Sequence, residues 1–169
     1  WRPDDRFANR ELLHHGTLYV ARFDANGRGE WLPLVHGANG LTAANGFANQ
    51  AEVLIRARMA ADVLGGTRMD RPERCAVHPV TREVYCTLTN NRERGRGGRV
   101  GTDAANPRAD NQFGHVIRWR EDGANVAATS FAWDLFALAG LPNASDFDRQ
   151  GRFKGDAFAC PDNLFFDSR

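Results

Sequence analysis

One segment of the chain recurs in outline, and this repeat constrains the fold more than any other feature. Residues 72–79 read Pro-Glu-Arg-Cys-Ala-Val-His-Pro, and residues 161–168 read Pro-Asp-Asn-Leu-Phe-Phe-Asp-Ser. In each copy a proline precedes a carboxylate, and an apolar segment then leads into a turn. Residues 18–27 and 116–123 form a second similar pair. Such repeats predict radially arranged β-sheets whose first strands begin near a common axis, where carboxylates from successive sheets would meet.

The composition is that of a globular protein with a small net charge. The chain has 169 residues, of which 42% are hydrophobic and 25% charged, so it is long enough to bury a core. The formal net charge is +1, which favours neither nucleic acid nor a membrane surface as a partner. No apolar run approaches the roughly 20 residues of a membrane-spanning helix. We therefore predict no nucleic-acid partner and no transmembrane segment.

Apolar alternation and turn residues predict the secondary structure. Hairpins are expected over residues 16–35, 74–89 and 115–136, because alternating apolar positions there run into turns rich in Gly, Asn and Asp. Residues 49–64 carry apolar residues at helical spacing and are followed by two glycines, which predicts a helix. A final strand is expected to open at Asp162.

Together these elements predict an all-β fold, a fragment of a β-propeller with a helical insertion. One full four-stranded blade would lie between Glu73 and Phe136. The hairpin before it would be the outer half of a preceding blade, and the segment from Asp162 would open the next. We assign residues 1–169 to one partial propeller domain and expect the chain to be truncated at both ends, since an open propeller leaves exposed edges.

The long segment between the second and third hairpins is rich in Arg, Gly and Asn. Its stretch from Arg92 to Arg99 resembles an RGG-type nucleic-acid-binding segment. It contains no aromatic residue that would stack on a base, so a solvated loop is the simpler interpretation. His115, at the start of a predicted strand, has the strongest claim to a site among the histidines.

The three cysteines predict neither a disulfide framework nor a zinc site. Cys75, Cys86 and Cys160 are odd in number and form no Cys-x-x-Cys motif. We expect buried or inert thiols, although Cys75 and Cys86 would face each other if residues 74–89 form a hairpin.

Carboxylates at matching places in the two copies are candidate metal ligands. Glu73 and Asp162 occupy equivalent positions, and hard cations such as Ca²⁺ bind several convergent carboxylate and amide oxygens. Asn163 and Asn90 would add amide oxygens. The alternative is that both carboxylates accept hydrogen bonds from backbone amides at the strand entrances.

Arg71 is the candidate for binding an anion. It lies two residues before Glu73, so both side chains would point to one side of an extended strand. A guanidinium beside a metal site is suited to holding two phosphate oxygens. The equally simple alternative is that Arg71 neutralises neighbouring carboxylates.

Six segments, in order along nearly the whole chain, carry a resemblance to a known family. They are residues 16–23 (GTLYVARF), 68–73 (RMDRPE), 88–91 (LTNN), 106–111 (NPRADN), 114–119 (GHVIRW) and 158–164 (FACPDNL). Together they resemble the PhoX-type alkaline phosphatases. Members of that family are considerably longer, so this chain would be a portion of the later half.

The resemblance implies a six-bladed propeller with Ca²⁺ and Fe³⁺ at its axis, hydrolysing phosphate monoesters in the periplasm or outside the cell. It implies that Glu73 is a catalytic metal ligand, that Arg71 is catalytic and binds the substrate phosphate, and that Asp162 belongs to the metal shell. Asn163 and Asn90 are further candidate ligands. The other propeller blades of the parent chain would supply the remaining ligands, among them a cysteine to iron, so this fragment alone is expected to be inactive.

Two other functions are compatible with the residues. A calcium-dependent propeller lactonase or ester hydrolase also places Glu, Asn and Asp around an axial ion. A non-catalytic propeller scaffold would use the same carboxylates to hold structural calcium only. Arg71 separates these interpretations weakly, because an ester substrate does not require a group that binds an anion.

Overall fold

The computed structural model describes residues 4–12 and 14–167, and β-strands dominate it. The six strands are β1 (Tyr19–Phe23), β2 (Arg28–Pro33), β3 (Pro72–Val77), β4 (Val84–Leu88), β5 (His115–Glu121) and β6 (Ser130–Leu138). The helices are α1 (Arg6–Asn9), α2 (Gln50–Ile55) and α3 (Ala57–Val63), and single 3₁₀ turns cover Ala43–Asn45 and Asp122–Ala124. The prediction of an all-β propeller fragment with a helical insertion is confirmed.

Strands β3 to β6 form the four-stranded antiparallel blade that the alternation predicts. The whole sheet has the order β1-β2-β6-β5-β4-β3, so β3 is an edge strand and β4 and β5 are interior. Cys75 lies opposite Cys86 in the β3–β4 pair, as the predicted hairpin requires. Interior strand β4 is buried from Tyr85 to Leu88, whereas all but one residue of β3 is exposed.

The first hairpin extends this same sheet. Strand β2 pairs antiparallel with β6, and Gly29 lies opposite Phe131. A Cβ at Gly29 would lie 2.2 Å from the Phe131 ring, so glycine allows this close approach. The sequence places the hairpin in a preceding blade. In the structure β2 is instead hydrogen-bonded to β6 of the same sheet, a contact that alternation within β2 does not encode.

The predicted helix over residues 49–64 is two short helices. Asn49 caps α2 by accepting a hydrogen bond from the Glu52 backbone N–H. Arg56 then leaves the helical conformation, with φ −105° and ψ 36°, and α3 begins at the next residue. The Arg56 guanidinium donates two hydrogen bonds to the Gly46 carbonyl. A tertiary contact thus accompanies the break in an otherwise helical pattern.

The chain divides into two compact units, each with its own apolar cluster. One unit comprises the described residues up to Ala21 together with Trp31–Gly66, and the other comprises Arg22–Glu30 and the described residues from Thr67 onward. The core of the first unit consists of Leu34, Leu41, Phe47, Val53 and Ala60. A cluster in the second consists of Tyr85, Val116 and Ala137, covered by Phe153, Phe158, Leu164 and Phe166. The assignment of residues 1–169 to one domain stays a prediction.

The strand expected from Asp162 is not formed within the described residues. Residues 161–167 have no regular secondary structure, although Leu164 and Phe166 still pack on the second unit's apolar cluster. A strand needs a hydrogen-bonded neighbour as well as alternation, and no described segment pairs with this one. Ser168, the last residue of the repeated phrase, lies outside the described residues.

Gly114 is the point where the long loop passes into β5, and its geometry requires glycine. Its φ is +76°, and an added Cβ would lie 2.2 Å from the Thr89 carbonyl oxygen and 2.3 Å from that of Leu88. We predict that Gly114→Ala lowers the free energy of unfolding by at least about 2 kcal/mol, because the backbone atoms cannot move aside. Chemical denaturation of the protein measures this change.

Gly97→Ala is the matched control. Gly97 lies in the same loop, and a Cβ there would meet nothing within 4 Å. Its free energy of unfolding should change by no more than about 0.5 kcal/mol. Equal effects of the two substitutions would show that the close approach at Gly114 does not exist.

Candidate functional site

Arg71 stands immediately before β3 in an unusual backbone conformation. Its φ is +54°, in the left-handed region that residues with a Cβ seldom adopt. The Arg71 N–H donates to the Met69 carbonyl (3.0 Å), and the Arg71 carbonyl accepts from the Thr89 N–H (3.2 Å). The first bond is a local turn, and the second ties the start of β3 to the end of β4. The Arg71 side chain, 61% exposed, lies at that corner.

Two of the predicted site residues lie against Arg71. Its Nη1 donates to the Asn90 side-chain carbonyl at 3.2 Å, and its Nη2 lies 3.9 Å from a Glu73 carboxylate oxygen. Asn90 in turn donates from its amide to the Cys160 sulfur at 3.4 Å. The structure therefore brings Arg71, Glu73 and Asn90 together at one end of the sheet, with Cys160 beside them.

Asp162 reaches the same strand end through its backbone. The Thr87 hydroxyl donates to the Asp162 carbonyl at 3.1 Å and accepts from the Arg74 N–H at 3.1 Å. A single hydroxyl on β4 thus links the residue after Glu73 to the second copy of the repeated phrase. Asp162 and Asn163 are both exposed, and whether the Glu73 and Asp162 carboxylates share an ion stays a prediction.

The predicted ligands carry the kinds of donor atom that a hard cation binds. Glu73 and Asp162 carry carboxylate oxygens, and Asn163 carries an amide oxygen, which are the groups that Ca²⁺ binds. Over residues 4–12 and 14–167, no three His, Cys, Asp or Glu side chains converge tightly enough to hold an ion by themselves. The Asn90 oxygen already accepts from Arg71, which suits Asn90 to orienting that guanidinium.

Behind Arg71 lies a buried polar cluster, here called the Asp70 network, made of Asp70, Asn91, Arg94 and Asn111. The Asp70 carboxylate is fully buried. One of its oxygens accepts from Arg94 Nε at 2.6 Å and from Asn91 Nδ2 at 2.9 Å, and the other accepts from Asn111 Nδ2 at 2.9 Å. The network therefore satisfies a buried charge with one opposite charge and two amides.

Arg94 carries this network into the long loop. Its side chain is 1% exposed, and its Nη1 donates to the Gly101 carbonyl at 2.7 Å and to the Asp103 carboxylate at 3.3 Å. The sequence predicts a solvated loop from Arg92 to Arg99, and for Arg94 that prediction is wrong. A carboxylate 24 positions earlier supplies the compensating charge, and no local pattern shows it.

His115 closes the network on the side of the sheet. It is fully buried, and its Nε2–H donates to the Ala105 carbonyl at 2.8 Å while Nδ1 accepts from Asn111 Nδ2 at 3.3 Å. Burial lowers the pKa of His115 below its usual value. A neutral imidazole with that tautomer satisfies both contacts, so His115 supports the Asp70 network and does not face the exposed corner.

The facing cysteines lie on the same two strands as the site. Both are free thiols, and a hydrogen bond from Cys86 lowers the pKa of Cys75 to about 7. The same interaction, followed by burial, raises the pKa of Cys86. Cys86 is buried, whereas Cys75 and Cys160 are exposed, so only Cys86 is a buried thiol, and the inertness of the two exposed thiols stays a prediction.

A cleft of about 850 Å³ opens beside the Asp162 segment. Thr87, Pro161 and Asn163 are among the residues that line it. Its walls are mixed, with the cations Arg118, Arg152 and Lys154 and the apolar residues Val116, Phe136, Ala137, Phe153, Phe158 and Leu164. Arg118 is held by the Asp134 carboxylate and lies over the Phe136 ring at 5.3 Å, so this cation is already engaged.

Sequence reasoning missed Asp70 and Cys160 as neighbours of the site. Asp70 lies beside Arg71 inside the RMDRPE segment. This segment also carries Arg71 and Glu73, so its second acidic residue was the signal that could have identified Asp70. Cys160 precedes the second repeated phrase directly. Its φ of +49° and its contact with Asn90 have no signature in the sequence.

Comparisons with known proteins give one family and one closely similar structure. The family described as alkaline phosphatase PhoX matches residues 1–169. The solved structure of "Pseudomonas fluorescens PhoX in complex with vanadate, a transition state analogue" is 47% identical in sequence and superposes with a TM-score of 0.92. The match covers 99% of this chain and 31% of that one, so this chain spans about a third of its relative. No curated protein matches.

Loss of Arg94 should be costly, because it would leave the Asp70 carboxylate buried without its counter-charge. We predict that Arg94→Ala lowers the free energy of unfolding by about 3–5 kcal/mol. Thermal or urea-induced unfolding measures the loss.

Arg99→Ala serves as the control for this substitution. Arg99 belongs to the same loop and pairs with Glu93, but its side chain is 63% exposed. Exposed pairs contribute little because water screens them, so we expect no measurable change in the unfolding midpoint. Similar losses in the two variants would contradict the buried pair with Asp70.

Proposed function

Because this chain belongs to the PhoX alkaline phosphatase family, we propose that its full-length parent is a metal-dependent phosphatase that hydrolyses phosphate monoesters. In this proposal Arg71 binds the substrate phosphate, while Glu73 and Asp162 hold Ca²⁺ together with Asn163. The observation that carries the proposal is the convergence of Arg71, Glu73 and Asn90 at one end of the sheet. The 47% identity to a protein whose structure contains vanadate supports it.

The contacts of Arg71 suit it to binding a phosphate. Asn90 engages Nη1 of the guanidinium, whereas the 3.9 Å separation from Glu73 is too long for a hydrogen bond. With a side chain 61% exposed, the guanidinium retains N–H groups that can donate to two oxygens of one phosphate. Two parallel hydrogen bonds would fix the orientation of the phosphate and neutralise part of its charge.

A bound cation would act from the Glu73 side of the same corner. When bound, it would neutralise phosphate charge and favour an oxygen nucleophile at neutral or alkaline pH. Glu73 and Asp162 contribute negative charge for a hard cation, and Arg71 contributes the positive group that stays on the protein. We propose Fe³⁺ as a second ion in the parent, with its remaining ligands on the other propeller blades, since the family resemblance implies both metals.

The location and completeness of the enzyme are part of the same proposal. The parent would act in the periplasm or outside the cell, and the portion described here would be inactive alone because the other blades complete the site. Among residues 4–12 and 14–167, no helix has the length and hydrophobicity to cross a membrane. Fractionation of cells expressing the full-length parent, with phosphatase activity assayed in each fraction, tests the location.

Arg71 substitutions test the phosphate-binding role in the full-length parent. Arg71→Ala should reduce turnover of a phosphate monoester about 100-fold and weaken inhibition by inorganic phosphate, with metal content unchanged. Arg71→Lys should recover only part of the loss, because a point charge cannot make two parallel hydrogen bonds. Steady-state kinetics and metal analysis are the measurements. Wild-type turnover in both variants would refute the assignment.

Glu73→Gln tests the metal-binding role. The amide keeps the shape of the side chain and loses the charge that holds a hard cation, so both metal content and phosphatase turnover should fall. Glu93→Gln is the matched control, because Glu93 is an exposed carboxylate on the long loop that pairs with Arg99, and it should leave both quantities unchanged. Full metal content in Glu73→Gln would contradict the proposed ligand.

Parallel assays separate this function from its two alternatives. A full-length parent that hydrolyses a lactone and not a phosphate monoester would be a lactonase. A parent that holds calcium, lacks iron and hydrolyses neither substrate would be a scaffold. Either outcome would overturn the proposed phosphatase.

A further inference from the structure

The Arg71–Asn90 contact is anchored at both ends to one buried carboxylate. Asp70 directly precedes Arg71, and Asn91, which donates to the Asp70 carboxylate at 2.9 Å, directly follows Asn90. The two residues that meet at the exposed corner are thus each one peptide bond away from a member of the Asp70 network. This arrangement couples the direction of the Arg71 guanidinium to the hydrogen bond between Asn91 and Asp70.

The backbone of Arg71 needs such an anchor. A left-handed φ costs a residue with a Cβ about 1 kcal/mol or more and persists only where the surroundings impose it. Here the Asp70 N–H donates to the Asn106 side chain at 2.9 Å, and the Asp70 carboxylate accepts three further hydrogen bonds. The residue before Arg71 is therefore held on both its backbone and its side chain.

The Asn91 side chain makes one contact with Asp70 and one with the backbone of its own loop. Its Nδ2 donates to Asp70, whereas its Oδ1 accepts from the Glu93 N–H at 3.1 Å, a turn within the loop. A serine at this position would keep an acceptor for the local turn and would be too short to reach Asp70. The two contacts can therefore be separated by one substitution.

We propose that Asp70 and Asn91 are positioning residues for phosphate binding, and that their hydrogen bond holds Asn90 against Arg71 so that the guanidinium points at the substrate. The proposal rests on the proposed function of Arg71 and extends it to residues that touch no substrate. A loss of alignment at the phosphate would reduce catalysis without removing any group that contacts the phosphate. Asn91 would then affect phosphate binding and catalysis only when the Arg71 guanidinium is present.

A double-mutant cycle in the full-length parent tests this dependence. Asn91→Ser alone should weaken inhibition by inorganic phosphate and reduce kcat/KM for a phosphate monoester roughly tenfold, in a protein that stays folded at the assay temperature because Arg94 and Asn111 still pair with Asp70. In an Arg71→Ala background, Asn91→Ser should change neither quantity by more than about twofold. If Asn91→Ser unfolds at that temperature, Asn91→Gln, whose amide is displaced by one methylene from its place beside Asp70, replaces it and carries the same expectation.

The outcomes separate this inference from the function on which it rests. If Arg71→Ala impairs the enzyme and the Asn91 substitution acts equally in both backgrounds, or acts in neither, the positioning role is overturned and the phosphatase assignment stands. If Arg71→Ala itself changes nothing, the phosphate-binding assignment falls, and the positioning role falls with it. Arg99→Ala, on the same loop and exposed, should match the wild type throughout.

Discussion

The buried Asp70 carboxylate is the group on which this end of the molecule depends. It lies where the chain enters β3, and its partners Asn91, Arg94 and Asn111 all belong to the long loop between β4 and β5. A single charge thus organises a segment with no β-strand of its own. An unpaired carboxylate at that depth would be strongly unfavourable, so the loop and the start of β3 must adopt their conformations together.

The molecule has an apolar core and, separately, a buried polar core. The sheet faces pack conventional apolar clusters, as with Tyr85, Val116 and Ala137. The long loop packs buried polar side chains instead, among them Arg108, which donates to the Ala139 carbonyl at 2.6 Å. Directional bonds specify one geometry more narrowly than apolar contacts do. This difference suits the polar core to supporting an exposed corner where a guanidinium must be aimed.

The blade could be predicted from sequence because its information is local. Alternation along β4 and β5 and the facing of Cys75 and Cys86 follow from a hairpin pattern, and the structure has both. The pairing of β2 with β6, the break at Arg56 and the missing strand after Asp162 depend on distant partners. At the site, spacing predicts that Arg71 and Glu73 share one side of an extended strand. The two side chains do lie near each other, 3.9 Å apart, but Arg71 precedes β3 with a left-handed φ, so strand alternation is not the reason. The contact of Arg71 with Asn90 joins residues 19 positions apart and was not predictable.

The exposed edge of β3 has a consequence for how the protein behaves in concentrated solution. An edge strand offers unpaired backbone groups to any extended segment of another molecule. Strand β3 begins with Pro72, which has no N–H to donate, and continues with the charged residues Glu73 and Arg74. An incoming strand would lose a hydrogen bond at Pro72 and desolvate two charges. Pro72, Glu73 and Arg74 therefore discourage intermolecular sheet growth and aggregation.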